Sequence, residues 1–339
     1  MVLEGGAGEV WAVAFHPDGK HFFDGTRNEI RRWRADGQEL GKQTGMDMWA
    51  ISVSKDQKWV VCGTSSGASV WDAELREKVA EVESGNSVYS VDVAPDCTKF
   101  ATGTTEVAIW SITTGEKLLG LLKHGSFVTG IEFSPDGGRL ATANDSTIRI
   151  FDAQNGDQLI SIENPIYDTS ESLLPIAWST HGQQLVAVSK DYKIRSFDLS
   201  ARSLLAEWQI HENSNDSMAI ALSANGQFIA SSAGHLVSFW DTSTHTQLGI
   251  VEETHKIESI ALSPDGYHLA TGSKASGSSI IWDLRGVLPD SYLPSNVSTP
   301  FLKSTMTFIH ESVFLYTHKS LVPDCKCRII LHPERRIDV

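Results

Sequence analysis

A stretch of 29 residues, from His124 to Asp152, reads HGSFVTGIEFSPDGGRLATANDSTIRIFD and decides the fold. It holds a short alternating run of apolar and polar residues, then Ser-Pro-Asp-Gly, then two further runs at 139–143 and 147–152. Alternation over a few residues predicts a strand with one face more buried than the other. Pro-Asp-Gly predicts a tight turn, because Pro fixes φ, Asp bonds its own backbone and Gly accepts positive φ. The stretch therefore predicts antiparallel strands joined by a hairpin turn.

The same pattern recurs seven times between residues 1 and 285, with turns that start 38, 40, 40, 45, 44 and 40 residues apart. These turns begin at His16, Ser54, Ala94, Ser134, Ser179, Ser223 and Ser263. In every repeat the third run ends on an aromatic residue: Trp33, Trp71, Trp110, Phe151, Phe197, Trp240 and Trp282. A fourth run follows, and four short strands per unit of about 40 residues are typical of a propeller blade. We therefore expect an all-β, seven-bladed β-propeller of four-stranded antiparallel blades.

These repeats resemble the WD-repeat family, named for the dipeptide seen here as Trp71-Asp72, Trp240-Asp241 and Trp282-Asp283. One such dipeptide carries little information, but all seven repeats share the position of the turn, the position of the aromatic residue and the spacing between them. The resemblance covers residues 1–285 and implies a rigid ring that binds other proteins.

The first and last blades of the predicted propeller domain, residues 1–285, must be joined to each other, because an unpaired sheet edge can pair with another molecule and promote aggregation. No good fourth strand follows Trp282, so we expect the first residues of the chain to supply the outer strand of the last blade. That strand is short, which leaves either a weak closure or a chain that begins within a strand. Residues 286–339 do not fit the repeat and form an irregular C-terminal extension, either poorly ordered or docked. Basic residues exceed acidic ones by two over 303–339, so this extension is attracted to the acidic ring.

Composition narrows the range of partners. The net charge is −14, which disfavours direct binding to nucleic acid and favours a neutral or basic protein partner. Four cysteines in 339 residues are too few for a disulfide framework. The N-terminal residues show no signal peptide, and no apolar run is long enough to span a membrane. We therefore expect a protein of the cytoplasm or nucleus, a monomeric propeller within a larger complex.

The resemblance also implies a buried polar network in each blade, made by a His, a Ser or Thr, an Asp and the aromatic residue of the third strand. Repeat four keeps most of it, as His124, Thr142 and Asp145, with Phe151 in place of Trp. We interpret these residues as structural and not as a catalytic pair, and we expect apolar packing to hold most other blades.

Candidate partner-binding residues lie at the end of the ring where the inner strands begin, the usual docking face in the family. By register they are Trp11, Trp49, Tyr89, Thr129, Leu174, Met218 and Glu258. Three aromatic residues from consecutive blades would form one sector, and such residues commonly anchor interfaces. The alternative is that they fill gaps between blades. Turns at the same end carry Arg27, Asn144 and Lys190, which we expect to form a polar rim.

The signals for enzyme chemistry are weak. Cys325 and Cys327 lie near several histidines, but their spacing is shorter than that of a usual zinc site, so we predict no metal and no cofactor. No phosphate-binding Gly-rich loop and no strand–Ser elbow–helix motif is present. The inner runs offer chiefly Ala, Val, Ser, Ile and Phe.

The sequence thus predicts a non-catalytic scaffold or adaptor that binds a peptide or a partner domain. The alternative is a propeller enzyme with a metal or substrate in the axial channel. A third interpretation is a recognition module related to the repeat arrays of larger signalling proteins.

Overall fold

The computed structural model describes residues 1–3, 8–120, 124–144, 147–163, 175–189, 191–210, 217–273, 277–293 and 328–330. Seven antiparallel sheets follow one another along the chain, and six of them have their strands in sequential order, whereas the last takes its outer strand from the start of the chain. The all-β fold with seven four-stranded blades is therefore confirmed.

Within each blade the strands run in order from the inner to the outer edge of the sheet. Blades one and two contain Val10–Phe15 (β2), His21–Thr26 (β3), Glu29–Arg34 (β4), Glu39–Thr44 (β5), Met48–Val53 (β6), Trp59–Thr64 (β7), Gly67–Asp72 (β8) and Lys78–Glu83 (β9). Blades three and four contain Ser90–Val93 (β10), Lys99–Gly103 (β11), Val107–Ser111 (β12), Lys117–Gly120 (β13), Gly130–Phe133 (β14), Arg139–Ala143 (β15), Thr147–Asp152 (β16) and Gln158–Glu163 (β17). Blades five and six contain Ile176–Trp178 (β18), Gln184–Ser189 (β19), Lys193–Asp198 (β20), Ser203–Gln209 (β21), Met218–Leu222 (β22), Phe228–Ala233 (β23), Leu236–Asp241 (β24) and Gln247–Glu252 (β25). Blade seven contains Ile257–Leu262 (β26), His268–Ser273 (β27), Ser279–Asp283 (β28) and, from the start of the chain, Val2–Leu3 (β1).

The ring closes between blades seven and one. Each inner strand contacts the next, and β26 returns to contact β2. Strand β1 pairs with β28, so that Val2 faces Ile280 and Leu3 faces Ser279. Residues from the two ends of the repeat array therefore share one sheet.

Apolar side chains fill the space between neighbouring blades. One cluster joins Val61, Val70 and Val82 of blade two to Phe100 and Trp110 of blade three. Burial of such side chains is the main favourable contribution to folding. The alternating runs of the sequence thus bury one face against each neighbouring blade.

The hairpin turns between the first two strands of each blade share one geometry. In blade four, Gly137 has a φ of 72°, and the Asp136 carboxylate accepts a hydrogen bond of 3.0 Å from the Gly138 N–H. Blades two and three place Gln57 and Cys97 at the position of Gly137, with φ values of 68° and 59°. These two turns adopt the same conformation without glycine.

The chain after β28 packs on blade six. Two short 3₁₀ helices, Leu284–Gly286 and Asp290–Tyr292, follow the last blade. Leu284, Val287 and Leu288 are buried in a cluster that includes Phe228. Farther on, Arg328–Ile330 (β29) pairs antiparallel with β25 as a fifth strand. Both described pieces of the C-terminal region therefore contact the same blade.

The predicted strand at 312–316 and the two cysteines Cys325 and Cys327 lie outside the described residues. In the part of the chain that the structure describes, no helix has the length and apolarity needed to cross a membrane.

Candidate functional site

Four aromatic side chains form a continuous row along the end of the ring where the inner strands begin. The ring centroids of Trp11 and Trp49 are 5.1 Å apart, those of Trp49 and Tyr89 are 5.4 Å apart, and those of Tyr89 and Phe127 are 5.0 Å apart. These distances are typical of interacting aromatic pairs. We call Trp11, Trp49, Tyr89 and Phe127 the aromatic arc, and this end of the propeller the top rim. The arc extends over blades one to four.

Arg27 lies over the first half of the aromatic arc. Its guanidinium carbon is 5.2 Å from the Trp11 ring centroid and 5.7 Å from that of Trp49. The Arg27 side chain is 58% exposed and lies 3.7 Å from the Glu9 carboxylate. A guanidinium at this distance interacts favourably with the faces of both indoles. The structure thus brings Arg27 together with two of the predicted rim residues, Trp11 and Trp49.

Phe127 belongs to the arc although the sequence register did not select it. It lies two residues before Thr129, the register equivalent of Tyr89, and is 45% exposed. The aromatic residue of blade four therefore comes from the loop and not from the strand. The available signal in the sequence was an aromatic residue, Phe127, in the loop just before the register position of Thr129.

The other predicted rim residues do not extend the arc. Thr129 is half-buried, whereas Met218, Glu258 and Asn144 are buried. The Asn144 side chain accepts a hydrogen bond of 2.7 Å from the Thr147 N–H, which holds the turn. Because these three side chains face the interior, we leave them out of the docking surface. Leu174 and Lys190 lie outside the described residues.

The polar pair of blade four is buried. Thr142 Oγ1 lies 3.0 Å from His124 Nε2, and Thr142 is fully buried. Burial lowers the pKa of His124 to about 4, and the positive charge of Arg149 adds to this effect. The imidazole is therefore neutral at physiological pH, as a buried hydrogen-bonded group requires. Asp145 lies outside the described residues.

Blade seven has an equivalent network that sequence reasoning missed. Thr271 donates a hydrogen bond to the Glu253 carboxylate and accepts one of 3.3 Å from Trp282 Nε1. Burial raises the pKa of Glu253 to about 7, against the hydrogen bond from Thr271. Glu253 precedes Thr271 by 18 residues, the same separation as His124 from Thr142. A search by position rather than by residue type would have found it.

Blade one holds a buried ion pair at the seam with blade seven. Arg31 donates two hydrogen bonds of 2.8 Å to Asp24, and both side chains are fully buried. Ser279 of blade seven donates to the same carboxylate at 2.6 Å. Sequence reasoning did not find this pair, because its two members lie on different strands.

Three of the described inner strands carry a carboxyl group, namely Asp92, Glu132 and Glu258, and the first two reach the next blade. The Phe133 N–H donates to Asp92 at 2.8 Å, and the Trp178 N–H donates to Glu132 at 3.0 Å. Each of these two carboxyl groups therefore binds the backbone of the following blade. Burial raises the pKa of Asp92 to about 6. Burial and the nearby charge of Asp92 raise the pKa of Glu132 well above its usual value.

Several curated proteins resemble this chain. The groucho protein of Drosophila melanogaster is 23% identical over 221 residues, which cover 63% of this chain and 29% of groucho. Eukaryotic translation initiation factor 3 subunit I of Kluyveromyces lactis is 24% identical, over 60% of this chain and 63% of that protein. The mouse target of rapamycin complex subunit LST8 is 24% identical, over 54% of this chain and 56% of that subunit. The chain thus spans less than two thirds of each of these relatives.

The family model described as WD domain, G-beta repeat matches residues 1–34, 115–152 and 246–283. The first match covers β1 and the first three strands of blade one, and the other two end with the third strands of blades four and seven. The matched repeats and the closed ring of seven four-stranded blades agree with each other. The chain belongs to the WD-repeat family.

Proposed function

We propose that this protein is a non-catalytic interaction platform that binds a peptide or a folded partner domain on its top rim. The observation that carries the proposal is the aromatic arc, in which four rings from consecutive blades lie about 5 Å apart, with Arg27 over the first two. Tyr and Trp are enriched among the residues that dominate binding energy, because they combine a large apolar area with a polar group. The arc supplies such anchors on a rigid scaffold, which lowers the entropy lost on binding.

The charge of the chain supports a neutral or basic partner. A net charge of −14 attracts cationic surfaces over several ångströms and repels phosphate backbones. Arg27, which lies over two rings of the aromatic arc, would contact a carbonyl or carboxylate of the partner. We further infer that the protein works as a monomeric propeller within a larger complex, in the cytoplasm or nucleus. Two of the relatives are named as subunits of larger assemblies, which supports this inference.

The enzyme alternative finds little support in the inner strands. Asp92 and Glu132 lie on inner strands, from which an axial site would take its ligands. Both accept a backbone hydrogen bond from the next blade, which favours a structural role. A bound metal or substrate would have to compete with these bonds.

The proposal is tested by affinity capture and mass spectrometry with the wild type beside a Trp11/Trp49/Tyr89 triple alanine replacement. We expect the triple variant to lose specific partners. Circular dichroism and thermal melting must show that it remains folded, because Trp11, Trp49 and Tyr89 are half-buried. Leu205→Ser is a matched control, since Leu205 is an exposed apolar residue on the outer strand of blade five. A folded triple variant that captures the same proteins would refute the aromatic arc as the docking site.

A further inference from the structure

A cluster of two histidines and one aspartate lies in the hairpin turn of blade one, at the end of the ring opposite the aromatic arc. His16 Nδ1 is 3.1 Å from Asp18 Oδ1, and His21 Nδ1 is 2.6 Å from Asp18 Oδ2. One potential ligand atom from each residue lies within 4.8 Å of the other two. His16 is buried, and the other two side chains are about one quarter exposed. The cluster is thus fixed on one side and accessible on the other.

The six other hairpin turns show that the fold does not require these histidines. The residues at the position of His16 are Ser54, Ala94, Ser134, Ser179, Ser223 and Ser263. The residues at the position of His21 are Trp59, Lys99, Arg139, Gln184, Phe228 and His268. Among the seven turns, the turn of blade one alone has histidine at both positions around its acidic residue.

The turn itself uses only one of the two oxygens of Asp18. Oδ1 accepts backbone hydrogen bonds from Lys20 at 2.8 Å and from His21 at 3.1 Å, as the corresponding carboxylates of other turns do. Oδ2 faces the His21 ring. His16 Nδ1 also contributes to the turn, through a long hydrogen bond of 3.4 Å from the Asp18 N–H. The His21 ring and Asp18 Oδ2 are therefore available for a further role without loss of the turn, and a metal on His16 Nδ1 would replace one weak bond.

The dimensions suit a small cation. Zn²⁺ binds imidazole nitrogen and carboxylate oxygen at about 2.0–2.2 Å, so its tetrahedral ligands lie roughly 3.3 Å from one another. Two observed separations, 3.1 and 2.6 Å, are close to or below that value, and all three ligand atoms lie within 4.8 Å of one another, so side-chain rotation has to bring them to it. Nitrogen and oxygen ligands together favour zinc or a similar transition metal over Mg²⁺ and Ca²⁺, which prefer oxygen alone.

A second carboxylate lies beside the same turn. A Cβ atom placed on Gly19 would be 3.3 Å from Asp265 Oδ2, in the neighbouring turn of blade seven. Asp265 adds negative charge next to the cluster, which favours a cation there. The site therefore lies near the seam where the ring closes.

We propose that His16, Asp18 and His21 bind a divalent transition-metal ion, with Zn²⁺ as the probe. Three protein ligands leave one coordination position for water or for a group of a partner. The bound ion connects the end of β2 to the start of β3 and stabilises blade one. This site is separate from the top rim, so its failure would leave the proposed function untouched.

The test is a Zn²⁺ titration of the full chain after removal of metal with a chelator. Calorimetry should show a saturable site, and Zn²⁺ should raise the melting temperature, because a ligand that binds only the folded state stabilises it. His16→Ser, Asp18→Asn and His21→Gln reproduce residues that the same positions hold in other blades, namely Ser54, Asn225 and Gln184. These turns should therefore fold. Each variant should lose one equivalent of bound Zn²⁺.

His181→Asn is the matched control, because His181 is an exposed histidine in the turn of blade five. It should bind as much Zn²⁺ as the wild type. Equal binding by the wild type and His21→Gln would overturn the proposal.

Co²⁺ binding to the wild type gives a second measurement that needs no variant. A visible spectrum without a thiolate-to-cobalt charge-transfer band is expected for nitrogen and oxygen ligands. If that band accounts for all the bound ion, the metal is on cysteines such as Cys325 and Cys327 and the proposal is wrong.

Discussion

Blades four and seven each place an ionisable side chain against a buried threonine, a base in blade four and an acid in blade seven. In blade four a neutral imidazole, His124, meets Thr142; in blade seven a carboxyl group, Glu253, meets Thr271. Burial shifts each pKa towards the uncharged form, down to about 4 for His124 and up to about 7 for Glu253. In these two blades, burial thus favours the uncharged form of the group at this position, whether that group is an acid or a base.

The two blades must therefore respond to pH in opposite directions. The pKa of Glu253 is raised, so its stabilisation is present below pH 4.5 and is lost as pH rises to about 7. The pKa of His124 is lowered, so its stabilisation is present above pH 6.5 and is lost as pH falls to about 4. Between pH 4.5 and 6.5 the two effects oppose each other.

Blade one provides a third arrangement. Asp24 occupies the strand position of Thr142 and Thr271, and its carboxyl group pairs with the Arg31 guanidinium. Here the partner of the buried group is a side chain of the neighbouring strand. This pair should be the least tolerant of single replacements, because one buried charge remains when its partner is removed.

The largest expected effect comes from Arg31→Met. It leaves the Asp24 carboxylate buried with Ser279 as a neutral partner, and should lower the free energy of unfolding by about 3–5 kcal/mol. Urea denaturation measures it. Arg34→Met on the same strand is the control, because Arg34 forms an exposed pair with Asp36 and should change stability little. Equal effects of the two replacements would contradict the importance of the buried pair.

The next effect is the pH response of blade seven. In the wild type, Glu253 should cost about 3 kcal/mol of stability between pH 4.5 and 7, and Glu253→Gln should remove this dependence. Denaturation curves at a series of pH values measure the slope. Glu252→Gln, at the neighbouring position, should leave the slope unchanged. A Glu253→Gln slope identical to that of the wild type would show that Glu253 does not titrate in this range.

Blade four should show the reverse response, of similar size. His124→Gln retains a hydrogen-bonding partner for Thr142 but cannot become charged. It should remove about 3 kcal/mol of the stability that the wild type loses between pH 6.5 and 4, because the pKa of His124 is shifted as far as that of Glu253. The same series of denaturation curves would disprove the prediction if the wild type and His124→Gln lost equal stability between pH 6.5 and 4.

The smallest effect on stability is expected in the loop that leads into each blade. Phe127 of blade four corresponds to Lys256 of blade seven, so Phe127→Lys transfers the residue of one blade to the other. Because Phe127 is 45% exposed, folding should change little, whereas affinity for a captured partner should fall about tenfold or more. Surface plasmon resonance measures the affinity. Unchanged affinity, with Leu205→Ser as the reference, would remove Phe127 from the docking surface.

Most of the fold could be predicted from the sequence because turns and strands are local. The Ser134–Gly137 turn and the aromatic residue Phe151 both follow from residue type and spacing within one repeat. Seven copies of these signals indicated the number of blades. Three rim residues, Trp11, Trp49 and Tyr89, were also found by register alone and do lie in contact.

What the sequence could not show depends on contacts between repeats. Asp24 and Ser279 are 255 residues apart and meet only because the ring closes. Glu253 was missed because the expected residue type at its position was His. Met218 and Glu258 share the register of Trp11, but their environments bury them. Register fixes where a residue lies along a strand, and the packing of the next blade decides whether it reaches solvent.

The turns of blades two and three have one further consequence, for protein engineering. Gln57 and Cys97 adopt positive φ where five sister turns use glycine. A side chain in that conformation costs roughly 1 kcal/mol. Replacing both residues by glycine would relieve this cost, partly offset by the greater freedom of glycine in the unfolded chain. The strained turns lie on the side of the ring away from the aromatic arc. A more stable variant could therefore be made there without changing the proposed docking surface.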